Sequence, residues 1–210
     1  MSHSRTVAVD PFFRVTKNAI GVKPELHLFQ CGSDEFFARD YLKRNDMTIS
    51  FGFLDGMHLF EYLLRDFINA ERNCRDTSVL ALHDCCPYGP GMLTRDLDNL
   101  PRGAWTGDVW KLIPILKEAR PDLTVTVLDC KPTGLVLVSG LDPANDTLSR
   151  QYDEIVAHWK TVELVDYGVE RFYGSFEYTD SKKFANDGFP LLRQAASANK
   201  QLLQPVKVST

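Results

Sequence analysis

The feature that most constrains the fold of this 210-residue chain is the alternation of short apolar runs with amphipathic segments. The apolar runs are rich in β-branched residues, which indicates strands, and the amphipathic segments have helical spacing. The predicted strands are Thr6–Asp10, Glu25–Gln30, Thr48–Leu54, Ser78–Leu82, Leu123–Leu128 and Leu135–Leu141. The predicted helices are Glu35–Arg44, Leu59–Asn73, Asp108–Arg120 and Thr147–Val162, and loose helical spacing also runs from Phe12 to Ile20. This pattern predicts an α/β fold with a mostly parallel sheet and helices on both of its faces.

Two connections qualify that prediction. Only residues 129–134 separate the last two strands, and a link so short favours an antiparallel hairpin over a crossover helix. Pro114 lies inside the segment Asp108–Arg120 and is expected to kink the helix or to begin a second one. We predict an α/β domain over residues 1–162 and a partly mobile C-terminal extension over 163–210, where the patterning is weak.

Composition narrows the class of partner and the compartment. A net charge of −4 argues against a nucleic-acid partner, so a small molecule is expected. No apolar run approaches the roughly 20 residues that span a bilayer, and Met1–Asp10 has no signal-peptide centre. The five cysteines are odd in number and include no CxxC pair, which fits a reduced, cytoplasmic protein without membrane attachment. The composition leaves a homo-oligomer open.

Polar side chains follow the first four predicted strands. These positions are Asp10, the segment Cys31–Asp34, the segment Asp55–His58 and the segment His83–Cys85. Ligands of open α/β sheets bind at the carboxyl ends of the strands, so four such positions on one rim favour a binding site. Each residue taken singly is explained equally well as a helix cap or a partner of the loop backbone.

The segment Asp55–His58 carries the clearest chemistry. Gly56 permits a tight turn that would bring the carboxylate of Asp55 beside the imidazole of His58. A carboxylate can hold a divalent cation, and an imidazole can accept a proton from a hydroxyl group. Asp84 follows the neighbouring strand, so Asp55 and Asp84 are candidates to share Mg²⁺. In the alternative interpretation Asp55 caps the helix, His58 lies in its first turn, and Asp84 bonds the loop backbone.

The remaining candidates have weaker signals. Asp10 ends a strand, as an acid does when it accepts both hydroxyls of a ribose. Cys31, Cys85 and Cys130 are most simply small buried groups. The segment Trp105–Lys111 either lines a substrate pocket or forms a capped helix whose tryptophans pack in the core.

Taken together, these motifs resemble class I S-adenosylmethionine-dependent methyltransferases, in particular the group with sugar and macrolide O-methyltransferases and cephalosporin-hydroxylase-like proteins. The resemblance covers residues 6–141. It rests on the motifs Val-Asp-Pro (9–11), Gly-Ser-Asp (32–34), Phe-Leu-Asp-Gly-Met-His (53–58), Leu-His-Asp (82–84), Trp-Thr-Gly-Asp-Val-Trp-Lys (105–111) and Pro-Thr-Gly-Leu (132–135).

The resemblance implies a Rossmann-like fold and a role for each motif. Asp10 would bind the cofactor ribose, and Ser33 and Asp34 would contact the adenine of S-adenosylmethionine. The metal ligands would be Asp55, His83 and Asp84, with Mg²⁺ as the expected ion, and His58 would be the general base. The implied reaction is O-methylation of a small polar acceptor such as a sugar or a natural product.

Two departures from the family pattern shape the expectations. The acidic pair of metal-dependent members is His-Asp here, and imidazole is a weaker ligand for Mg²⁺ than a carboxylate is. The family's first strand and glycine-rich loop also have no counterpart before residue 6, so we expect an N-terminally truncated domain with weak or absent cofactor binding. The strands at 6–9 and 48–54 would then pair directly, or the N-terminal part would dock loosely. The alternatives are a non-catalytic or degenerate methyltransferase-fold protein, as a gene fragment or binding module, and a metal-dependent hydrolase.

Overall fold

The computed structural model describes the backbone of residues 4–202 and the side chains of residues 4–197. The chain divides into two compact units, residues 1–47 and residues 48–210. The predicted division at residue 162 is a different one and stays a prediction. Within the described range, no helix has the length and apolar character needed to cross a membrane.

The first unit is built on a pair of parallel strands, β1 (Thr6–Val9) and β2 (Leu26–Phe29), in register from Thr6–Leu26 to Val9–Phe29. The predicted helical spacing after Pro11 is wrong, since no helix joins these strands; Phe12 is 78% exposed, so this apolar residue has no face to bury. The helix predicted over residues 35–44 is split into α1 (Ser33–Ala38) and α2 (Tyr41–Arg44), because Asp40 between them is left-handed at φ 50°.

A mixed five-stranded sheet forms the second unit. Its strands are β3 (Ile49–Leu54), β4 (Cys74–His83), β5 (Thr124–Leu128), β6 (Leu135–Ser139) and β7 (Tyr178–Thr179), and their order is β3-β4-β6-β5-β7. The pairs β3–β4 and β5–β7 are parallel, whereas β6 is antiparallel to both β4 and β5. The α/β class and the β5–β6 hairpin are therefore confirmed. The prediction of a mostly parallel sheet is wrong for these five strands, because β6 pairs antiparallel with both of its neighbours. Direct pairing of residues 6–9 with residues 48–54 is not found, because β1 and β3 belong to different sheets.

Helices of very different length complete the second unit. Short 3₁₀ turns cover Pro90–Met92 and Val109–Lys111. The helices are α3 (Phe60–Glu71), α4 (Leu112–Ala119), α5 (Thr147–Arg150), α6 (Tyr152–Trp159), α7 (Leu164–Tyr167), α8 (Val169–Tyr173), α9 (Ser181–Asn186) and α10 (Pro190–Leu202). Pro114 is the third residue of α4, where its missing N–H has no helical acceptor to lose, so the predicted second segment begins just before it.

The core lies on both faces of β4, whose residues 78–82 are all buried. The helices α3 and α10 each pack against β3 and β4. One buried cluster joins Val79 and Ala81 of β4 to Phe184 of α9 and Ala195 of α10. The elements after residue 162 thus supply core side chains, and β7 extends the sheet beside β5.

Candidate metal centre at the ends of β3 and β4

The second unit brings four predicted site residues together at one edge of its sheet. The strands β3 and β4 are parallel neighbours, in register through Leu54 and Leu82, so their carboxyl ends lie side by side. Asp55 follows β3, while His83 is the last residue of β4 and Asp84 follows it. His58 joins them from the turn that leads into α3. We call Asp55, His58, His83 and Asp84 the rim cluster.

Both imidazoles of the rim cluster face the same two carboxylate oxygens. His58 Nε2 lies 3.4 Å from Asp55 Oδ1 and 3.2 Å from Asp84 Oδ2. His83 Nδ1 lies 3.2 Å from Asp55 Oδ1 and 3.3 Å from Asp84 Oδ2. Potential ligand atoms of Asp55, His58 and Asp84 all lie within 4.8 Å of one another. The proximity that a shared cation requires is therefore present, and the cation itself stays a prediction.

The orientation of His58 is fixed from outside the rim cluster. Its Nδ1 lies 2.6 Å from the backbone carbonyl oxygen of Trp105, and the two rings have centroids 4.7 Å apart. The Asp108 N–H donates to the His58 carbonyl at 3.2 Å. Between them Gly107 has φ 52°, and a Cβ at this position would lie 1.7 Å from the His58 carbonyl oxygen. Only glycine allows this approach, so the segment after Trp105 holds the turn that carries His58.

Asp84 is held in a similar way. Its side chain accepts a hydrogen bond from the Thr133 hydroxyl at 2.5 Å through Oδ1, which leaves Oδ2 facing the imidazoles. Asp84 is buried and its backbone is left-handed at φ 60°, a conformation that costs about 1–2 kcal/mol for a residue with a side chain. The fold therefore holds a buried carboxylate at this edge, on a backbone conformation that residues with side chains rarely adopt.

The charges of Asp55 and His58 stabilise each other. The hydrogen bond to Asp55 raises the pKa of His58, while partial burial opposes the shift. The same hydrogen bond, with help from the charge of His83, holds the pKa of Asp55 below its usual value. A positive charge on or between the imidazoles is thus the favoured complement of these two carboxylates.

A second charged group fixes the start of α3. Asp108 Oδ1 accepts the backbone N–H of Phe60 at 2.9 Å. Its Oδ2 pairs with Lys111 Nζ at 2.7 Å and with Arg95, which also binds Glu61 at 2.6 Å. We call Glu61, Arg95, Asp108 and Lys111 the ion-pair cluster. No local sequence pattern predicts that these four residues pair. The motif at 105–111 contains two of them, Asp108 and Lys111.

For the segment Trp105–Lys111, core packing is found at Trp110, and the substrate-pocket alternative stays a prediction. Trp105 contacts His58 of the rim cluster, while Trp110 is 1% exposed and packs in the core against Trp159 and Phe172. The sequence analysis did not predict that Trp105 and Gly107 contact His58 or that Thr133 donates a hydrogen bond to Asp84. All three residues belong to motifs quoted for the resemblance.

The predicted cofactor residues lie in the first unit. Asp10 directly follows β1, its N–H donating to the carbonyl of Phe29 at 3.1 Å. Its Oδ1 accepts the N–H of Phe12 at 2.6 Å, and its side chain is exposed. Ser33 and Asp34 begin α1, just after β2. Because β1 and β2 are parallel, the three residues follow the same edge of their sheet. The rim cluster belongs to the other unit.

A largely apolar cavity of about 620 Å³ adjoins the rim cluster along the chain. Cys86, two residues past Asp84, lines it, and its N–H donates to the carbonyl of Thr133 at 2.9 Å. Pro132 and Gly134, on either side of Thr133, line it too. Apolar and aromatic side chains supply most of the other walls: Pro87, Tyr88, Pro90, Leu93, Leu164, Val165, Val169, Tyr173 and Tyr178.

All five thiols are free, and four of them are buried. Burial raises the pKa of Cys74 to about 12 and that of Cys86 to about 11. Burial also raises the pKa of Cys85. These three thiols are therefore poor nucleophiles, which fits the expectation for Cys85 as a small buried group.

No protein-family model matches the chain, and no curated protein matches it either. Function is therefore inferred from the geometry of the rim cluster and from the resemblance of its motifs.

Proposed function

We propose that this chain is an S-adenosylmethionine-dependent methyltransferase that transfers a methyl group to an oxygen of a small acceptor. The observation that carries the proposal is the rim cluster, in which two carboxylates and two imidazoles meet at the ends of neighbouring parallel strands. Such an edge is where α/β sheets bind their ligands. The finer fold assignment, a Rossmann-like domain, is part of the proposal, supported by the packing of α3 and α10 against β3 and β4 and by the antiparallel hairpin.

The residues proposed for the cofactor fit its adenosine half. The exposed carboxylate of Asp10 stands at a strand end and has a second oxygen besides the one that binds Phe12. A ribose diol needs such an acceptor. Ser33 and Asp34 lie at the start of α1 on the same edge, where they would contact adenine. S-adenosylmethionine supplies the methyl group on a positively charged sulfur.

The donor set of the rim cluster also fits a divalent cation, which would lower the pKa of an acceptor hydroxyl and orient it. The sequence assigned His83 to the metal and His58 to proton transfer, and the surroundings of the two rings favour the reverse. Histidine ligands of metals usually donate their second ring nitrogen to a carbonyl, as His58 does to Trp105. We therefore propose Asp55, His58 and Asp84 as the ligands.

His83 is then the proposed proton acceptor. Its side chain is 33% exposed, against 20% for His58, so it is the imidazole that an acceptor molecule reaches more easily. In the proposed step the acceptor oxygen bonds to the methyl carbon as the carbon–sulfur bond breaks, leaving its electron pair on sulfur. The hydroxyl proton passes to His83 Nε2, the ring nitrogen that does not face the carboxylates. Asp55 accepts a hydrogen bond from Nδ1 of the same ring at 3.2 Å and would stabilise the resulting imidazolium.

We propose that the acceptor occupies the cavity lined by Cys86 and Gly134, and the walls of this cavity narrow the acceptor class. A volume of about 620 Å³ suits a drug-sized molecule, and its prolines, aliphatic side chains and tyrosines favour a hydroxylated natural product over a bare sugar. Tyr88 and Val165 on its wall are 67% and 77% exposed, so the cavity is open to entry.

The experiment that tests the proposal combines binding with turnover. Calorimetry with S-adenosylmethionine, with and without a divalent cation, tests cofactor binding, and transfer of labelled methyl to a panel of phenolic and sugar acceptors tests the reaction. Replacement of a general base typically costs about 10²–10⁴-fold in turnover, so we expect that loss for His83→Ala with unchanged cofactor affinity. Methyl transfer with weak cofactor binding would support both the proposal and the expectation of weakened binding. Cofactor binding without transfer to any acceptor would favour the degenerate, non-catalytic alternative, and absence of both binding and transfer would overturn the proposal.

A further inference from the structure

We infer that the rim cluster selects a divalent transition metal of the Zn²⁺ or Co²⁺ type over Mg²⁺, with His58 as an obligatory nitrogen ligand. This inference rests on the proposed function only in taking the rim cluster as a metal site. It departs from the Mg²⁺ that the motif resemblance implied. Three observations support it: the chemical type of the ligand atoms, the fixed position of His58, and the distances between the ligand atoms.

The kind of donor comes first. Among the described residues, the group that could hold an ion contains two carboxylates and one imidazole, so a third carboxylate is lacking. Mg²⁺ prefers oxygen ligands in octahedral geometry, whereas imidazole suits zinc, cobalt and the other late divalent ions. The pair of residues at 83 and 84 supplies one carboxylate only, from Asp84.

The fixed position of His58 places its Nε2 among the metal ligands. With its Nδ1 proton donated to the Trp105 carbonyl, neutral His58 presents the lone pair of Nε2 to Asp55 and Asp84. A lone pair that faces two carboxylates is repelled unless Nε2 is protonated or a cation lies between them, so a bound metal ion would take the place of that proton. The Trp105 ring packs against the His58 ring at a tilt of 36°, and the close approach of Gly107 to the His58 carbonyl fixes the backbone. The imidazole is therefore held where it faces the two carboxylates.

Donor spacing agrees with this choice. Two ligands bonded at about 2.0–2.1 Å in a tetrahedral arrangement lie about 3.4 Å apart. Adjacent ligands of an octahedral Mg²⁺ site, bonded at about 2.1 Å, lie about 3.0 Å apart. The 3.4 Å between His58 Nε2 and Asp55 Oδ1 matches the tetrahedral value, and the 3.2 Å between His58 Nε2 and Asp84 Oδ2 lies midway between the two values.

Metal-free protein, prepared by dialysis against a chelator, is titrated separately with Zn²⁺, Co²⁺ and Mg²⁺ in a calorimeter, and bound metal is counted after equilibrium dialysis. We expect one Zn²⁺ or Co²⁺ per chain and Mg²⁺ affinity at least about 100-fold weaker, in the direction of the general affinity order of divalent ions. The absorption spectrum of the Co²⁺ form reports coordination directly, since a tetrahedral site gives intense visible bands and an octahedral one gives weak bands.

Two substitutions at one position sharpen the test. Loss of a residue that merely supports a ligand costs about 10–100-fold in metal affinity, so His58→Ala should cost about 100-fold or more for Zn²⁺. His58→Asp restores three carboxylates and should narrow or invert the preference between Zn²⁺ and Mg²⁺. His158→Ala, at an exposed position of α6, is the matched histidine control and should bind Zn²⁺ like the wild type. Circular dichroism establishes that each variant folds, and His58→Gln replaces the alanine variant if that one does not.

The outcomes separate this inference from the proposed function. Mg²⁺ binding as tight as Zn²⁺ binding would overturn the inference and leave the metal site of the proposed function standing. Zn²⁺ binding that His58→Ala leaves unchanged would also overturn it, and loss of that binding in Asp84→Asn would then place the ion at the carboxylates alone. No binding of any of the three ions to the wild type would remove both the inference and the proposed metal site.

Discussion

The rim cluster and the ion-pair cluster contain the same number of carboxylates but complete their charge in different ways. In the ion-pair cluster, Asp108 and Glu61 are matched by Lys111 and Arg95, which carry permanent charges. In the described part of the chain, the ion-pair partners of Asp55 and Asp84 are the two histidines, and no lysine or arginine joins them. The first group is neutral by itself. The second is balanced only when imidazoles are protonated or a cation binds, which is the property expected of a site.

The two clusters are also connected, and the connection assigns them different tasks. Asp108 accepts the N–H of Phe60 at the start of α3 and donates its own N–H to the His58 carbonyl. The ion-pair cluster therefore fixes the turn that carries His58, one of the two imidazoles of the rim cluster.

The largest expected effect comes from breaking the ion-pair cluster. Asp108→Asn leaves the ammonium group of Lys111, which is 1% exposed, without its carboxylate, and such a loss costs about 3–5 kcal/mol. Asp55→Asn should cost much less in metal-free protein, since it removes one of two carboxylates that no lysine or arginine matches. Urea unfolding in the presence of a chelator measures both variants, and an equal loss would contradict the distinction between the clusters.

A somewhat smaller effect is expected from Gly107→Ala. A methyl group at this position would overlap the His58 carbonyl oxygen, and φ 52° adds strain, so we expect a loss of about 2–4 kcal/mol together with weaker metal binding. Gly103→Ala is the control in the same loop, because its added methyl group meets nothing within 4 Å. Similar metal affinity in the two variants would show that the turn carrying His58 does not depend on Gly107.

The edge positions of the site were predictable because they depend on local patterns. The apolar runs that end at Leu54 and Leu82 identified neighbouring strands, and parallel strands bring the residues that follow them to one edge. The hairpin of β5 and β6 followed from a connection too short for a crossover. The supports of the site were not predictable in this way, because Trp105 lies 47 residues from His58 and Thr133 lies 49 residues from Asp84.

The C-terminal region shows a different limit of pattern reading. The helices α7 and α8 have four and five residues, each with one buried side chain, so a helical period has no length in which to repeat. The stretch from Phe12 to Ile20 failed for the opposite reason, since its apolar spacing has no packed face behind it and these two residues are 78% and 50% exposed. Periodicity predicts a helix only where tertiary packing uses the apolar face.

A third and smaller effect should come from Thr133→Val, which keeps the shape of the side chain and removes the donor to Asp84 Oδ1. Loss of one partner of a buried hydrogen bond costs about 1–3 kcal/mol, and we expect the lower part of that range because Asp84 keeps its imidazole neighbours. Metal affinity should fall about 10–100-fold, as for other residues that support a ligand. Thr133→Ser retains the hydroxyl and should restore the affinity; failure to do so would mean that the methyl group, and not the hydrogen bond, matters.

The smallest expected effect is the pH dependence of the stability that His58 and Asp55 contribute. The pKa of His58 is raised above 6.5 in the folded protein, so the stability it contributes is fully present below that value and is lost as pH rises through the raised pKa. The pKa of Asp55 is lowered from 3.8, so its contribution is present above that value and is lost as pH falls through the lowered pKa. Metal-free protein should therefore gain most from this pair between the two pKa values. Both side chains are partly exposed, so the gain is expected to stay below about 1 kcal/mol.

The measurement is the free energy of unfolding of the wild type minus that of His58→Gln, followed from pH 5 to pH 9 with a chelator present. The difference should shrink as pH rises, because the proton that balances the two carboxylates leaves His58. The ion-pair cluster gives the contrast: the difference between wild type and Lys111→Met should depend much less on pH over the same range, because no imidazole takes part in that cluster. A difference for His58→Gln that is equally flat would mean that the rim cluster is balanced by something other than a proton on His58.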